Sequence, residues 1–461
     1  MKSYIDLIEQ TFEFPTEEFR VENNELLFNG IRLMDIIKQY GTPLKLTYLP
    51  KISEHIRYAK RIFKNAIRKL KYNGDYTYCY CTKASHFHFV LEEVLDNKVH
   101  IETSSAYDIA IVKKLYEKGS INKDTYLLCN GFKRENYTRG VRELLEMGLN
   151  CIPILDNLKE INEYEQAQCE TIELGIRVAS DEEPNFEFYT SRLGIRYADI
   201  HTLYKEKIAT NPKFKLKMLH FFINTGIKDS AYYWSELSRF VYKYCELKKV
   251  CPDLDTIDIG GGFPIQTSLQ FEYNYSYMAE QIIENIQWIC NKSNVPVPNL
   301  FTEFGSFTVG ESGAIIYSVI DQKLQNDKEL WYMIDGSFIT HLPDVWGMNQ
   351  KFIMMAVNNW DNPHHKVNLG GLTCDSMDYY NSEAHTSEVF LPMINEGEMQ
   401  YIGFFHTGAY QDSLGGYGGI QHCLIPAPKH IIVDRDENDG IITRLFAPEQ
   451  DSEPMLKILG Y

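Results

Sequence analysis

LDTIDIGGGF, residues 254–263, reads as a short apolar strand that ends on three consecutive glycines. Seven further runs share that form, each closing on a small, polar or charged residue: YTYCYCTK (76–83), VHIETSS (99–105), TYLLCNG (125–131), CIPILDN (151–157), LGIRVA (174–179), LKMLHFFINTG (216–226) and LFTEFG (300–305). Between them lie charged stretches of helical period, such as AYDIAIVKKLYEK and RENYTRGVRELLEMG. Continuous apolar strands alternating with helices specify a parallel sheet covered by helices. Eight repeats favour an α/β fold with a (β/α)8 TIM-like barrel over an open doubly wound sheet.

The flanking residues read differently. Short strand-like pieces (ELLFNGIRLMDIIKQYG, IIYSVI, LWYMID, KFIMMAV, YIGFF, HIIVD) are broken by Gly, Asn, Asp and Pro, a pattern of antiparallel β structure. The expectation is a barrel over 46–315, inserted into a discontinuous antiparallel β domain made of 1–45 and 316–461.

The chain of 461 residues carries 46 Lys and Arg against 63 Asp and Glu, a net charge of −17. So acidic a surface repels phosphate backbones and anionic lipids, which argues against nucleic-acid and membrane partners and is compatible with a cationic substrate. No apolar run approaches the roughly 18 residues of a membrane span. The opening MKSYIDLIEQTFEF is too broken by charge to be a secretory signal. None of the ten cysteines forms a C-x-x-C pair, so no metal site is expected, and reduced thiols in the cytoplasm are.

Barrel enzymes place their chemistry at the C-terminal ends of strands. Lys83 ends the first apolar run, where desolvation is expected to lower its pKa and favour amine chemistry; a strand-end lysine also commonly just reaches for water. Gly260, Gly261 and Gly262 let backbone N–H groups approach an anion closely, although a tight turn uses glycines too. Glu303 ends the eighth run, either as a working carboxylate or as a solvated one. A lysine, an anion cradle and a carboxylate on one rim suit pyridoxal 5′-phosphate, with the amine on the aldehyde, the glycines on the phosphate and Glu303 on the ring nitrogen.

These residues resemble, over nearly the whole chain, the alanine-racemase-like (fold-type III) pyridoxal-phosphate decarboxylases that act on ornithine, diaminopimelate and arginine. Lys83 in YCYCTKAS matches the family's cofactor lysine, IDIGGGFP its phosphate loop, and Glu303 with Gly305 its Glu-x-Gly-Arg element. Cys374 and Asp375 in GLTCDS match its Thr-Cys-Asp element, and Tyr410 in TGAYQ its phosphate-contacting tyrosine. Two departures stand out. His220-Phe-Phe222-Ile-Asn-Thr225 occupies the place of His-x-His-x-Gly-Ser, putting Phe222 at the ring-stacking position and Thr225 at the phosphate serine. His220 and Phe222, two residues apart, lie on the same face of a strand, so His220 could serve at the ring as well. Ser306 stands where the family has arginine.

CNGFKRENY (129–137), LPDVWGMNQKF (342–352), LTCDS (372–376), GAYQDSLG (408–415) and Glu102 in HIETSS are more similar to biosynthetic arginine decarboxylases than to other members. The resemblance implies a compact homodimeric enzyme of polyamine and spermidine biosynthesis converting L-arginine to agmatine and CO2. Lys83 and Cys374 are its implied catalytic residues, with Cys374 lent by the partner subunit to reprotonate Cα. The implied cofactor contacts are Lys83, Glu102, His220, Phe222, Thr225, Gly260, Gly261, Gly262, Glu303, Gly305, Ser306 and Tyr410, with Asp344 and Asp375 on the substrate's distal cation. Ornithine, lysine or diaminopimelate are the alternative substrates. Glu303 argues against a racemase, and Lys83, Cys374 and Tyr410 together argue against a non-catalytic mimic.

Overall fold

The computed structural model describes residues 2–7, 14–180, 192–412 and 421–461. It divides into two compact units, one of Ser53–Pro264 with Tyr273–Thr308, the other of Met1–Ile52, Ile265–Glu272 and Val309–Tyr461. Residues 413–415 of GAYQDSLG lie outside the described residues. Among the described residues no helix is long and apolar enough to cross a membrane.

The first unit is a closed parallel barrel of β1 (Tyr76–Cys81), β2 (His100–Thr103), β3 (Leu127–Cys129), β4 (Cys151–Leu155), β5 (Ile172–Arg177), β6 (Phe214–His220), β7 (Thr256–Asp258) and β8 (Asn299–Phe304). All eight apolar runs form strands, in chain order. Closure comes from β8 on β1, with Leu300 opposite Tyr76 through Phe304 opposite Tyr80. Cys79, Leu128, Ile152, Ile154, Met218 and Phe301 pack together as a buried cluster. Two flat faces must both be covered in such a sheet, which is why these strands are apolar throughout rather than alternating.

The intervening helices follow their start signals. Ala106–Glu117 is capped by Ser105, which accepts the Asp108 N–H, and buries Ile109, Val112 and Leu115 along one stripe. Ala231–Lys248 and Tyr275–Ser293 are capped in the same way by Ser230 and Asn274.

In the second unit the long strand Gly313–Gln325 pairs antiparallel with Leu44–Tyr48, Glu329–Ile334 and Tyr401–Phe405. Two pairings are parallel: Lys429–Arg435 on Leu44–Tyr48, and His364–Gly370 on Glu329–Ile334. The sheet is therefore mixed, predominantly antiparallel. Its period of two divides the core. Ala314 and Ile316 face a cluster with Phe19, Leu44, Leu46 and Ile431, whereas Ile315, Tyr317 and Val319 face one with Tyr332, Leu369 and Phe404. ELLFNGIRLMDIIKQYG joins this unit as two short strands and a helix, Leu33–Tyr40, that ends before Gly41 at φ +70°.

Candidate active site

Six strands bring acids, bases and an amide to one rim of the barrel. Lys83, on the single turn Thr82–Ala84 that follows β1, donates from Nζ to Glu102 Oε2 of β2 at 2.6 Å. Asn130, the residue after β3, spends one amide nitrogen on two carboxylates, Glu102 Oε1 at 3.1 Å and Glu303 Oε1 at 2.6 Å. His220, the last residue of β6, places Nε2 3.4 Å from Glu303 Oε2. Asp258, the last residue of β7, accepts the Gly260 N–H at 2.8 Å. Donor atoms of His220, Asp258 and Glu303 fall within 4.8 Å of one another.

Packing acids this closely forces their protons apart. Burial pushes Asp258 well above the usual carboxylate range, and the Glu303 charge adds to it, so Asp258 is held neutral. Burial acts upward on Glu303 too, but His220, a hydrogen bond from Asp258 and the Lys83 ammonium outweigh it and bring Glu303 down to about 2. The rim thus sets a carboxylate that gives up its proton readily beside one that resists giving it up. Lys83 corrects the sequence expectation. Desolvation does act to lower it, yet coupling to the Cys81 thiol and the charges of Glu102, which also accepts its hydrogen bond, and Glu303 prevail and hold it well above the ordinary lysine value.

The glycine turn is shaped by close backbone approaches. A Cβ on Gly261 would meet the Glu303 carbonyl oxygen at 2.1 Å, and one on Gly262, at φ +116°, would meet Gly226 Cα at 2.8 Å. Ile227 N–H donates to Gly262 O at 2.8 Å, tying the turn to the segment after β6. Thr225 Oγ1 and both ring nitrogens of His220 are buried without a hydrogen-bond partner, as is Asn130 Oδ1. Buried polar atoms of this kind cost free energy unless a ligand satisfies them. A glycine cradle beside an orphaned hydroxyl fits a phosphate; a low-pKa carboxylate across from a lysine amine fits a protonated pyridine bearing an aldehyde. The donor set suits pyridoxal phosphate.

Phe222 departs from the shared-face expectation. β6 ends at His220, so the alternation that would align the two residues stops there; His220 is buried while Phe222 is 41% exposed. Arg177, the last residue of β5, stands with its guanidinium 5.5 Å from the Phe222 ring centre. Gly305 and Ser306 lead into the short helix Ser306–Val309, Thr308 N–H returning to Gly305 O. Asn130, Asp258 and Arg177 were given no role from sequence. Each is a polar residue at or just past a strand's C-terminal end, the same signal that singled out Lys83 and Glu303.

The remaining candidates belong to the β unit. Asp344, in the helix Pro343–Met348, is buried; its Oδ2 accepts from Gln411 Nε2 at 2.7 Å, and burial raises its pKa. Cys374 and Asp375 sit in a tight loop whose organiser is Asp378, a residue the sequence did not single out. Asp378 accepts the Thr373 N–H and Oγ1–H through Oδ2 and the Phe338 N–H through Oδ1. Cys374 is exposed. Tyr410 follows the strand Tyr401–Phe405 at φ +68°, a left-handed backbone held by a residue other than glycine.

Residues 54–310 match the family model described as the pyridoxal-binding domain of pyridoxal-dependent decarboxylases. Among curated relatives, the chain is similar to a biosynthetic arginine decarboxylase of Prochlorococcus marinus, 22% identical over 97% of this chain and 86% of that one. It is also similar to the chloroplastic arginine decarboxylase 1 of Arabidopsis thaliana, 21% identical over 95% of this chain and 78% of that one. Among solved structures, the biosynthetic arginine decarboxylase of Campylobacter jejuni superposes with a TM-score of 0.83 at 18% identity, covering 96% of this chain and 91% of that one. A diaminopimelate decarboxylase of M. jannaschii superposes with a TM-score of 0.78 at 15% identity, covering 96% and 97%. At these identities the superpositions speak to fold alone.

Proposed function

The chain belongs to the pyridoxal-dependent decarboxylases, and from that premise we propose that it removes the α-carboxylate of L-arginine, releasing CO2 and agmatine. The observation that carries the reading is the line of contacts Lys83–Glu102–Asn130–Glu303–His220 along one rim, beside the glycine turn. The choice of arginine is supported by curated relatives of that name, which match nearly the full chain.

When bound, pyridoxal phosphate supplies an electron sink for the pair left at Cα as CO2 departs. On this reading Lys83 would hold the cofactor's aldehyde through Nζ. Glu303, low in pKa and braced by Asn130, would meet the ring nitrogen and favour a proton on it. Thr225, Ser306 and the N–H groups of Gly260–Gly262 would hold the phosphate. Phe222 or His220 faces the ring. The proton that replaces CO2 at Cα comes from the Cys374 thiol of a second copy, which makes the enzyme a homodimer with shared sites. Asp344 and Asp375 receive the guanidinium, whose planar fork pairs with carboxylates in a way a simple ammonium does not. A cytoplasmic place in polyamine biosynthesis accords with ten unpaired cysteines.

The test is product analysis with arginine, ornithine, lysine and meso-diaminopimelate, each offered separately at equal concentration. Agmatine is the expected product; putrescine, cadaverine or lysine in its place would reassign the substrate while leaving the decarboxylase intact.

A further inference from the structure

Of the ten cysteines only Cys374 and Cys423 are exposed, and they lie together, Sγ to Sγ 3.4 Å. The His422 ring completes a group, its Nδ1 3.1 Å from Cys423 Sγ. The three donor atoms all fall within 4.8 Å of one another. On the far side of that ring, Asp375 Oδ2 stands 3.9 Å from Nε2. All four residues belong to the β unit.

Both loops are built to hold this arrangement. The Cys374 loop is closed by Asp378, whose N–H returns to Asp375 O at 3.1 Å, while Met377 N–H donates to Asp375 Oδ1 at 2.8 Å. On the other side Cys423 and Leu424 adopt φ of +54° and +55°, two successive non-glycine residues in the left-handed region. That conformation costs about 1–2 kcal/mol per residue, and strain of this kind concentrates where a side chain must be aimed. Here Cys423 Sγ is aimed at Cys374. A sequence search for closely spaced cysteines passes over the pair because 49 positions separate them.

We propose that Cys374, Cys423 and His422 form a binding site for zinc, with three protein ligands and a fourth position open to water. Zinc takes sulfur at about 2.3 Å and imidazole nitrogen at about 2.0–2.1 Å, so tetrahedral geometry separates the two sulfurs by ~3.7 Å and sulfur from nitrogen by ~3.5 Å. The separations of 3.4 and 3.1 Å are a few tenths of an ångström tighter, an opening that exposed side chains can make. Asp375 behind His422 supplies the outer carboxylate that characteristically orients a ligating imidazole. Binding converts two thiols to thiolates and releases two protons to solvent. The site meets the proposed catalytic cycle at one atom, since a Cys374 sulfur bound to zinc has no proton to give.

The test uses the full chain, reduced with a phosphine, stripped of metal and titrated first with Co2+ and then with Zn2+. One equivalent of Co2+ per chain is expected, with sulfur-to-cobalt charge transfer and the intense visible bands of four-coordinate cobalt, displaced by Zn2+. Cys423→Ser and His422→Gln should each weaken Zn2+ binding at least tenfold with unchanged circular dichroism, and Asp375→Asn about tenfold. Cys169→Ser should leave binding intact. Lys83→Ala should bind Zn2+ as the wild type does, which separates this site from the cofactor site. Absence of stoichiometric uptake by the reduced protein would overturn the proposal, as would uptake undiminished by Cys423→Ser.

Discussion

Lys83 Nζ lies 2.6 Å from Glu102 Oε2, so the amine proposed to carry the cofactor is held as an ammonium by a fully buried carboxylate. To act as a nucleophile it must first lose a proton against that pull. Glu102→Gln keeps the hydrogen-bond acceptor and removes the charge. Removing an opposite charge at this distance should lower the Lys83 pKa by about one unit or more. Reductive methylation of the cofactor-free protein across pH, with peptide mapping, reads the shift directly. An unmoved profile would show that Glu102 does not set the charge of Lys83. With cofactor present, borohydride should fix the pyridoxyl group on Lys83 and on no other lysine.

Gly261 has no room for a side chain. A Cβ there would lie 2.1 Å from a main-chain oxygen of β8, which cannot rotate out of the way. Gly261→Ala should cost about 1–3 kcal/mol of stability and weaken cofactor binding at least tenfold, because the turn and Glu303 move together. Gly119→Ala is the comparison: nothing lies within 4 Å of its Cβ, so only its left-handed φ of +79° is strained. Cofactor titration of both variants checks the contrast. Equal affinity would show that the turn does not shape the cofactor site.

Glu383, in the β unit, is pushed up to about 8 from its ordinary 4.5 by burial, against a single lowering hydrogen bond from Met354 N–H. Burial also pushes His385, 3.7 Å away, downward. The unfolded chain releases the Glu383 proton near 4.5, whereas the folded chain keeps it until about 8. Its contribution therefore opposes folding increasingly across that window as pH rises, and vanishes below it. Glu383→Gln retains the Met354 contact and should stabilise the fold on the order of 2–5 kcal/mol at pH 8, with little gain at pH 4.5. Thermal midpoints of the two proteins at both pH values decide it; a gap that does not widen with pH would show an ordinary glutamate.

Cys374→Ala and Lys83→Ala proteins should each lose nearly all activity. Mixed under conditions of subunit exchange, they should regain about a quarter of the wild-type rate or less, because only mixed dimers pair an intact Lys83 with an intact Cys374. Exchange demonstrated by mass without recovered activity would assign both residues to one chain's site.

The barrel was legible because its strands are covered on both faces and so read as unbroken apolar runs, and eight of them alternating with helices favoured closure over an open sheet. The β unit was less so. Gly313–Gln325 changes from wholly buried to wholly exposed along its length, and a strand of that kind carries no single pattern. At the rim, Asn130 and Asp258 escaped for a different reason. An asparagine in CNG and an aspartate in IDIGGG read as turn and solvent residues, and only three-dimensional closure reveals that both reach Glu303. Lys83 shows the limit of arguing from burial alone, since its partner Glu102 comes from the neighbouring strand.

The strand Leu44–Tyr48 is buried at every position, yet its neighbours are Gly313–Gln325 and Lys429–Arg435. On the ribosome it acquires its second neighbour only after nearly four hundred further residues have been added. At typical rates of synthesis that is a wait of tens of seconds with an apolar edge unpaired. The barrel, drawn almost wholly from contiguous chain, can close within that interval. The nascent protein thus passes through a stage in which one half is finished and the other is a sticky ribbon. A chain stalled or truncated before Lys429–Arg435 is expected to aggregate through that ribbon, so the arrival of this one strand decides whether the polypeptide survives its own synthesis.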